Sequence, residues 1–155
     1  MEENRIESSD SEKIVQYIVV RIGNENYGVN INYVDNIVRM QGITRVPKTQ
    51  VYYVGVINLR GEIIPVMSLR LKLGLESDQF TNKTRMIIIK IENAKVAIIV
   101  DEVREVVSLE ESKIEKAAYD MNDDRTNYIS AIGKNNGELI SLLDVNAVVI
   151  EKDNA

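Results

Sequence analysis

The apolar residues of segment 22–38 recur, with the same spacing, in segment 91–107. A turn asparagine stands near the start of each segment, as Asn24 and Asn93. The apolar positions that coincide are Ile22 and Ile91, Tyr27 and Val96, Val29 and Ile98, Ile31 and Val100, Val34 and Val103, Ile37 and Val106, and Val38 and Val107. Because strand side chains alternate between two faces, a shared apolar spacing gives both segments the same buried face. This duplication predicts that the two segments fold alike.

A second pair of segments repeats farther along the chain. Residues 61–69 read GEIIPVMSL and residues 137–145 read GELISLLDV, so each begins at a turn glycine and continues as an apolar strand. Together the repeats predict two similar β lobes at about 13–75 and 84–145 with a linker at about 76–83.

The local patterns indicate a mainly β fold. Val and Ile are frequent, aromatic residues make up 5% of the chain, and turn residues come at short intervals. Strands are predicted at 14–22 and 86–91; in the second, Ile87 and Ile89 share one face and Lys90 marks the other. Each lobe has too few strands for a stable open sheet. Closing each lobe into a small barrel would remove its exposed edges, and packing the two together would bury the remaining apolar surface.

Helical signals are few. Ser68 can cap a short helix that runs through Leu73, and Asp144 can cap a C-terminal helix at about 144–151. Ser108 and Glu111 have the spacing of a capping box. Residues 1–12 are polar and acidic, which predicts a disordered tail.

Composition excludes several kinds of site. The chain has no histidine and no cysteine, so it has no thiolate nucleophile, no His-bearing zinc site and no histidine general base. We expect no cofactor and no metal. The net charge of −5, with mixed signs, argues against nucleic acid as a partner. Every apolar run is far shorter than the roughly 20 residues that span a bilayer, so no direct membrane insertion is expected.

Two acidic segments could carry chemistry, and for both a structural interpretation is favoured. Asp101 and Glu102 follow an apolar strand, where a carboxylate commonly caps a turn. Residues 120–125 resemble a calcium loop, but the sixth position lacks glycine and the twelfth, Ala131, lacks glutamate. Arg60, at the tip of an apolar hairpin, is either a solvated turn residue or an anchor for a protein partner.

The hairpin carries a resemblance to a known family. Residues 55–61 (GVINLRG), followed by IIPV at 63–66 and by Leu69-Arg70, are similar to the signature of the CheW family, the adaptors of bacterial chemotaxis. Residues 27–31 (YGVNI) and 96–103 (VAIIVDEV) are similar to neighbouring segments of that family. The resemblance covers nearly all of 13–150, in order.

The resemblance implies two SH3-like five-stranded β-barrel lobes packed together, with a few short helices. It also implies a non-enzymatic adaptor that couples the cytoplasmic tips of methyl-accepting chemoreceptors to the regulatory domain of the histidine kinase CheA. Such a protein is cytoplasmic and reaches membrane-bound receptor arrays through protein contacts. The receptor-binding positions carried over are Val34, Asn36 and Arg60, and the kinase-binding positions are Ile43, Val46, Gly55, Glu115 and Tyr119.

Two positions depart from the family pattern. Asn36 stands where the family usually has a glutamate that can pair with the hairpin arginine, and Ser68 replaces a common aspartate. The alternatives left open are a regulatory CheW-like domain of a larger signalling protein, a small carboxylate-dependent hydrolase and a β-barrel oligosaccharide binder. The end of the chain at Ala155 is expected to leave no room for a receiver or ATPase domain, and seven Tyr, one Phe and no Trp are few for sugar binding.

Overall fold

The computed structural model describes residues 13–47, 50–117 and 123–150. These residues are mainly β, as predicted. The strands are β1 (Ile14–Ile22), β2 (Glu25–Asn30), β3 (Val34–Arg39), β4 (Tyr53–Leu59), β5 (Glu62–Ser68), β6 (Arg85–Ile91), β7 (Ala94–Val100), β8 (Glu102–Glu110), β9 (Glu115–Lys116), β10 (Ile129–Asn135) and β11 (Glu138–Leu143). The helices are α1 (Leu69–Lys72) and α2 (Val145–Val149), and short 3₁₀ turns occupy Ile31–Tyr33, Glu111–Lys113 and Asp124–Tyr128.

The strands form two sheets, and each sheet takes strands from both halves of the chain. Sheet 1 has the order β8-β1-β2-β11-β10-β9, and sheet 2 has the order β3-β6-β7-β5-β4. The sheets therefore do not follow the contiguous division at 13–75 and 84–145. The chain leaves sheet 1 after β2 and returns to it after β7, so the β1–β2 and β6–β7 hairpins are exchanged between the two halves.

The predicted duplication holds strand by strand in the hydrogen-bond register. Strands β3 and β8 follow the equivalent hairpins β1–β2 and β6–β7. Each carries a bulge at the equivalent place, at Asp35 in β3 and at Arg104 in β8. The matching pairs are Val34–Ile89 with Val103–Val20, Asn36–Ile88 with Glu105–Val19, and, in the parallel ladders, Val66–Ala97 with Leu142–Gly28. The two aligned segment pairs thus occupy equivalent positions in the two sheets.

Each sheet curls on itself. The chain after β3 returns to β4 at the far edge of sheet 2, and the chain after β8 returns to β10 in sheet 1. In sheet 2, Thr44 and Val56 exchange two backbone hydrogen bonds of 2.8 Å. In sheet 1, Glu115 of β9 pairs with Ile132 at the equivalent place. These contacts give each lobe an SH3-like form, but the predicted full barrel closure is not observed, and sheet 1 has six strands rather than the predicted five.

The core has three parts. One cluster fills the space between the two sheets, and two smaller clusters lie inside the individual lobes. Strand β6 contributes to two of them, because Ile87 and Ile89 face the space between the sheets while Met86 and Ile88 face the inside of sheet 2. Lys90 predicted a polar second face for β6. That face is apolar over most of its length, because the strand is buried on both faces.

The predicted N-caps of the two short helices are confirmed. The Ser68 hydroxyl accepts from the Leu71 N–H at 3.2 Å, and the Asp144 carboxylate accepts from the Ala147 N–H at 3.1 Å. The capping box predicted at Ser108 is wrong. Strand β8 continues through Ser108, and the 3₁₀ turn that follows has no side-chain cap, because eight residue pairs with β1 outweigh the local signal. Residues 1–12 and 151 lie outside the described residues.

Candidate functional site

Arg60 occupies a strained position at the tip of the β4–β5 hairpin. Leu59 pairs with Glu62, so Arg60 and Gly61 alone form the loop, with φ of 55° and 84°. Positive φ at both residues defines a type I′ turn, which favours Asn-Gly. The Asn58 side-chain oxygen accepts from the Gly61 N–H at 3.0 Å and fixes the turn. The equivalent turn of sheet 1 is Asn136-Gly137, with φ of 53° and 83°.

The Arg60 side chain is exposed and makes no hydrogen bond or ion pair with the described part of the chain. A side chain with a Cβ costs roughly 1–2 kcal/mol in the left-handed region, and Asn tolerates that region better than Arg. An arginine held in such a turn, without an internal partner, is the kind of outlier that points to a functional role.

Val34 and Asn36 lie on β3, on either side of the bulge at Asp35. Both are half-buried, and the Asn36 side-chain oxygen accepts from the Ile37 N–H at 2.9 Å. The Asn36 side chain is therefore hydrogen-bonded to its own strand, and no hydrogen bond joins it to Arg60. The departure from the family's glutamate leaves the arginine without a partner among the described residues.

Lys95 of β7 links β3 to the β4–β5 hairpin. Its Nζ lies 3.1 Å from Glu62 Oε1, beside the hairpin tip, and 3.6 Å from Asp35 Oδ2, in the bulge. The hydrogen bond to Glu62 raises the pKa of Lys95. We call Val34, Asp35, Asn36, Arg60, Glu62 and Lys95 the hairpin surface. The sequence reasoning missed Lys95, although a lysine within an apolar strand is a signal that could have found it.

Three of the predicted kinase-binding residues lie together at the other end of sheet 2. Ile43 and Val46 line an open groove of about 860 Å³, and Val46 is 41% exposed. Gly55 lies beside Ile43 but is buried, with φ of 149°. A Cβ at Gly55 would collide with the carbonyl oxygen of Thr44, so this glycine is required by the bridge between Thr44 and Val56. The remaining lining of the groove is mostly apolar and includes Met40, Val51, Tyr53, Val54, Leu71 and Phe80.

A carboxylate lies at the side of this groove. Asp78 Oδ2 accepts from the Ser68 hydroxyl at 2.5 Å, while Oδ1 is buried without a partner among the described residues. Burial raises the pKa of Asp78, and the hydrogen bond from Ser68 opposes that rise. Sequence reasoning did not find this contact, because it joins the last residue of β5 to the segment between the repeats.

The other two predicted kinase-binding positions are not in the groove. Glu115 is exposed on β9 of sheet 1, at the place that Thr44 occupies in sheet 2. The groove and Glu115 thus lie at equivalent ends of the two lobes. Tyr119 lies outside the described residues.

Asp101 is a structural carboxylate. It accepts from Arg70 at 2.9 and 2.7 Å and from the Gly23 N–H at 2.8 Å. Burial raises the pKa of Asp101, but these hydrogen bonds outweigh it and the net pKa is lowered. A carboxylate fixed as the anion by a forked arginine is a poor general base, so the turn interpretation is the better one. The described residues contain no cluster of three acidic residues able to hold a metal, and none of their helices is long and apolar enough to cross a bilayer.

Comparison with known proteins gives a consistent result. The family model described as the CheW-like domain matches residues 16–152. A chemotaxis protein CheW of Bacillus subtilis (strain 168) is 38% identical over 132 residues, which cover 85% of each chain. A chemotaxis protein CheW of Helicobacter pylori is 33% identical over 144 residues, covering 93% of this chain and 86% of the relative.

A solved structure gives the same match in three dimensions. The scaffolding protein TtCheW of Thermoanaerobacter tengcongensis superimposes with a TM-score of 0.82 at 29% identity, covering 92% of this chain and 98% of the other.

Proposed function

The chain belongs to the CheW-like family, and from that membership we propose that it is a non-enzymatic adaptor of bacterial chemotaxis. It couples the cytoplasmic tips of methyl-accepting chemoreceptors to the regulatory domain of the histidine kinase CheA. The observation that carries the proposal is Arg60, an exposed arginine held at positive φ on the family's signature hairpin without an internal partner.

The hairpin surface is the proposed receptor site. Val34 supplies apolar contact beside the bulge, and Arg60 supplies a forked donor at the tip. Lys95 holds the bulge and the hairpin in a fixed relation through Asp35 and Glu62. An arginine beside an apolar patch, surrounded by polar residues, is a common arrangement for a binding hot spot.

The groove is the proposed kinase site on sheet 2, and the Glu115 end of sheet 1 is the second. Ile43 and Val46 offer apolar surface there, whereas Gly55 acts by allowing the backbone to approach Thr44. Two equivalent ends on one chain suit an adaptor that meets a neighbour on each side. With no histidine or cysteine in the chain and with Asp101 paired to Arg70, we assign no catalytic residue. The site of action is the cytoplasm, at receptor arrays reached through protein contacts.

Two titrations on each variant test the proposal. Arg60→Glu should weaken binding of a receptor cytoplasmic fragment more than tenfold, since a central interface arginine is commonly worth about 2 kcal/mol. Val34→Glu should also weaken receptor binding, because it places a charge in an apolar contact. Neither should change binding of the CheA regulatory domain, which Val46→Glu should weaken instead. If Arg60→Glu weakens binding of the receptor and of the CheA domain equally, the variant is structurally damaged. If receptor binding is unchanged, Arg60 is only a solvated turn residue.

A further inference from the structure

Two hairpin turns lie side by side at one end of sheet 2. The β4–β5 turn carries Arg60, and the β6–β7 turn carries Glu92. Strands β5 and β7 begin at these turns and run parallel as neighbours, so both turns lie at the same end of the sheet. Lys95 Nζ, just after the second turn, lies 3.1 Å from Glu62 Oε1, just after the first. The β6–β7 turn is therefore an immediate neighbour of the hairpin surface.

The β6–β7 turn holds Glu92 in a backbone conformation that favours glycine. Ile91 pairs with Ala94, so Glu92 and Asn93 alone form the loop, and of these two only Glu92 has positive φ, of 54°. That is the pattern of a type II′ turn, in which the first loop residue is normally glycine. Glu92 is exposed and makes no hydrogen bond or ion pair with the residues that the structure describes. No polar contact within that part of the chain therefore offsets the cost of a glutamate at this position.

Sheet 1 has the residues that each turn type prefers in both equivalent turns. Its β1–β2 turn is Gly23-Asn24, with φ of 62° at the glycine, and its β10–β11 turn is Asn136-Gly137. Sheet 2 instead has a charged side chain at a positive-φ position of each turn, Glu92 and Arg60. Because the same framework forms with Gly and Asn in sheet 1, neither charged residue is required for folding. Two neighbouring turns that each hold an unpaired charge at a costly position point to a shared function.

The charged side chains near the two turns include equal numbers of each sign. They are Arg60, Lys90 and Lys95, and Asp35, Glu62 and Glu92. Lys95 is engaged by both Asp35 and Glu62. Lys90 is exposed and makes no hydrogen bond or ion pair with a described residue, but it lies two residues back along β6, so Glu92 is the outermost charge of its hairpin. A surface without net charge attracts a partner through the arrangement of its charges, which favours specificity.

We propose that Glu92 is a further recognition residue of the receptor site. It pairs with a lysine or arginine of the bound receptor segment, while Arg60 pairs with an acidic residue of the same segment. This assignment rests on the proposed function, since it gives Glu92 the same partner as Arg60. Val34 of β3 pairs with Ile89 of β6 near the same end of the sheet. A segment that crosses the strand ends therefore meets Val34, Glu92 and Arg60 in that order.

The strand order sets the spacing of the two charges on the partner. The β6–β7 and β4–β5 turns are centred two strands apart, which is about 10 Å. Along an α-helix this distance corresponds to about seven residues, or two helical turns. A helical receptor segment should thus present a basic and an acidic residue on one face at about that separation. A segment with the opposite order of charges would be repelled at both positions.

Titration of the full chain with a receptor cytoplasmic fragment tests the assignment at about 50 mM salt, where surface charges are weakly screened. Glu92→Lys should weaken receptor binding at least about tenfold, because it sets two cations against each other. Glu92→Gln, which removes only the charge, should weaken it about threefold. Both losses should shrink at about 0.5 M salt. Glu76→Lys, the same charge change at an exposed position outside the hairpin surface and the groove, should leave receptor binding unchanged.

Glu92→Gly separates the strain of the turn from recognition. Urea unfolding should show an equilibrium constant for folding that is raised roughly fivefold, because glycine adopts positive φ without a steric cost. Receptor binding should nevertheless fall as much as in Glu92→Gln. A Glu92→Gly variant that is less stable than the wild type would mean that Glu92 supports the turn, and would overturn the assignment.

Charge reversal on the receptor identifies the other member of the pair. Among receptor fragments in which one lysine or arginine at a time is replaced by glutamate, one should restore binding to Glu92→Lys. If no fragment does so, or if Glu76→Lys loses as much binding as Glu92→Lys, the assignment of Glu92 is overturned. If Arg60→Glu weakens receptor binding but Glu92→Lys does not, the assignment is overturned and the proposed function stands. If neither variant weakens it, both are overturned.

Discussion

The guanidinium of Arg70 donates to both carboxylate oxygens of Asp101, at 2.9 Å to Oδ1 and 2.7 Å to Oδ2. Asp101 stands where the chain crosses from sheet 2 back to sheet 1, and it also accepts from the N–H of Gly23 in the β1–β2 turn. Arg70 belongs to α1, which follows β5 of sheet 2. This arrangement of Arg70, Asp101 and Gly23 therefore links the two lobes.

Asp101→Asn should destabilise the protein by about 1–3 kcal/mol at pH 7, since it removes a forked, charge-assisted pair whose side chains are only 22% and 27% exposed. The folded-state pKa of Asp101 lies below its unfolded value of about 3.9. Its stabilisation is therefore present above about pH 4 and is lost as the pH falls through the folded-state pKa. Urea unfolding of wild type and variant from pH 7 down to about 3 should show the two curves converging at the acid end. A constant gap across that range would contradict the assignment.

Asp78 should have the opposite pH dependence. Burial raises its folded-state pKa above the unfolded value, so the folded state binds this proton more tightly and loses stability as the pH rises through the folded-state pKa. Asp78→Asn removes the ionisation, and its stability relative to the wild type should therefore increase from about pH 4 toward neutral pH. Urea midpoints at several pH values measure this. Ser77→Ala, in the neighbouring position, serves as a control that should leave the wild-type slope unchanged.

Gly55→Ala should destabilise the protein by more than about 2 kcal/mol, because φ of 149° and the collision with the Thr44 carbonyl both oppose a side chain there. Gly42→Ala is the matched control, since a Cβ at Gly42 meets no atom within 4 Å. Thermal unfolding distinguishes them. Loss of kinase binding in Gly55→Ala would then report a damaged groove, whereas Val46→Glu tests contact on an intact fold.

Much of the fold follows from apolar spacing. The strands at 14–22 and 86–91, the caps at Ser68 and Asp144 and the duplication all come from local patterns, and the register bears them out. The exchange of hairpins does not follow. Strands β6 and β7 are apolar on both faces, so the spacing fits pairing with either half of the chain. The choice is made by long-range contacts, such as the parallel pair of Val66 with Ala97.

Only part of the candidate site follows from the sequence. The resemblance supplied Arg60 and Val34 as candidate receptor-binding residues, and the structure places both in sheet 2, while their role stays a prediction. Lys95 could not be assigned from the sequence, because its partners Asp35 and Glu62 lie on strands that only the fold brings beside β7.

Arg60→Asn separates stability from binding at the hairpin tip. Asn-Gly is the preferred pair for a type I′ turn, and the sheet 1 hairpin has Asn136-Gly137 at the same place. The variant should therefore be more stable than the wild type by roughly 0.5–1 kcal/mol, since it relieves part of the cost of a left-handed arginine. It should nevertheless lose receptor binding, because the forked donor is gone.

The reverse exchange completes the test. Asn136→Arg should destabilise the protein by a similar amount, as it introduces the same strain into the equivalent turn, and should leave receptor binding unchanged. Urea unfolding and a receptor titration on both variants give four measurements. A gain in stability with a loss of binding at position 60, together with the converse at position 136, would mean that arginine is held in the turn for recognition. If Arg60→Asn is instead less stable than the wild type, Arg60 is a structural residue of the turn.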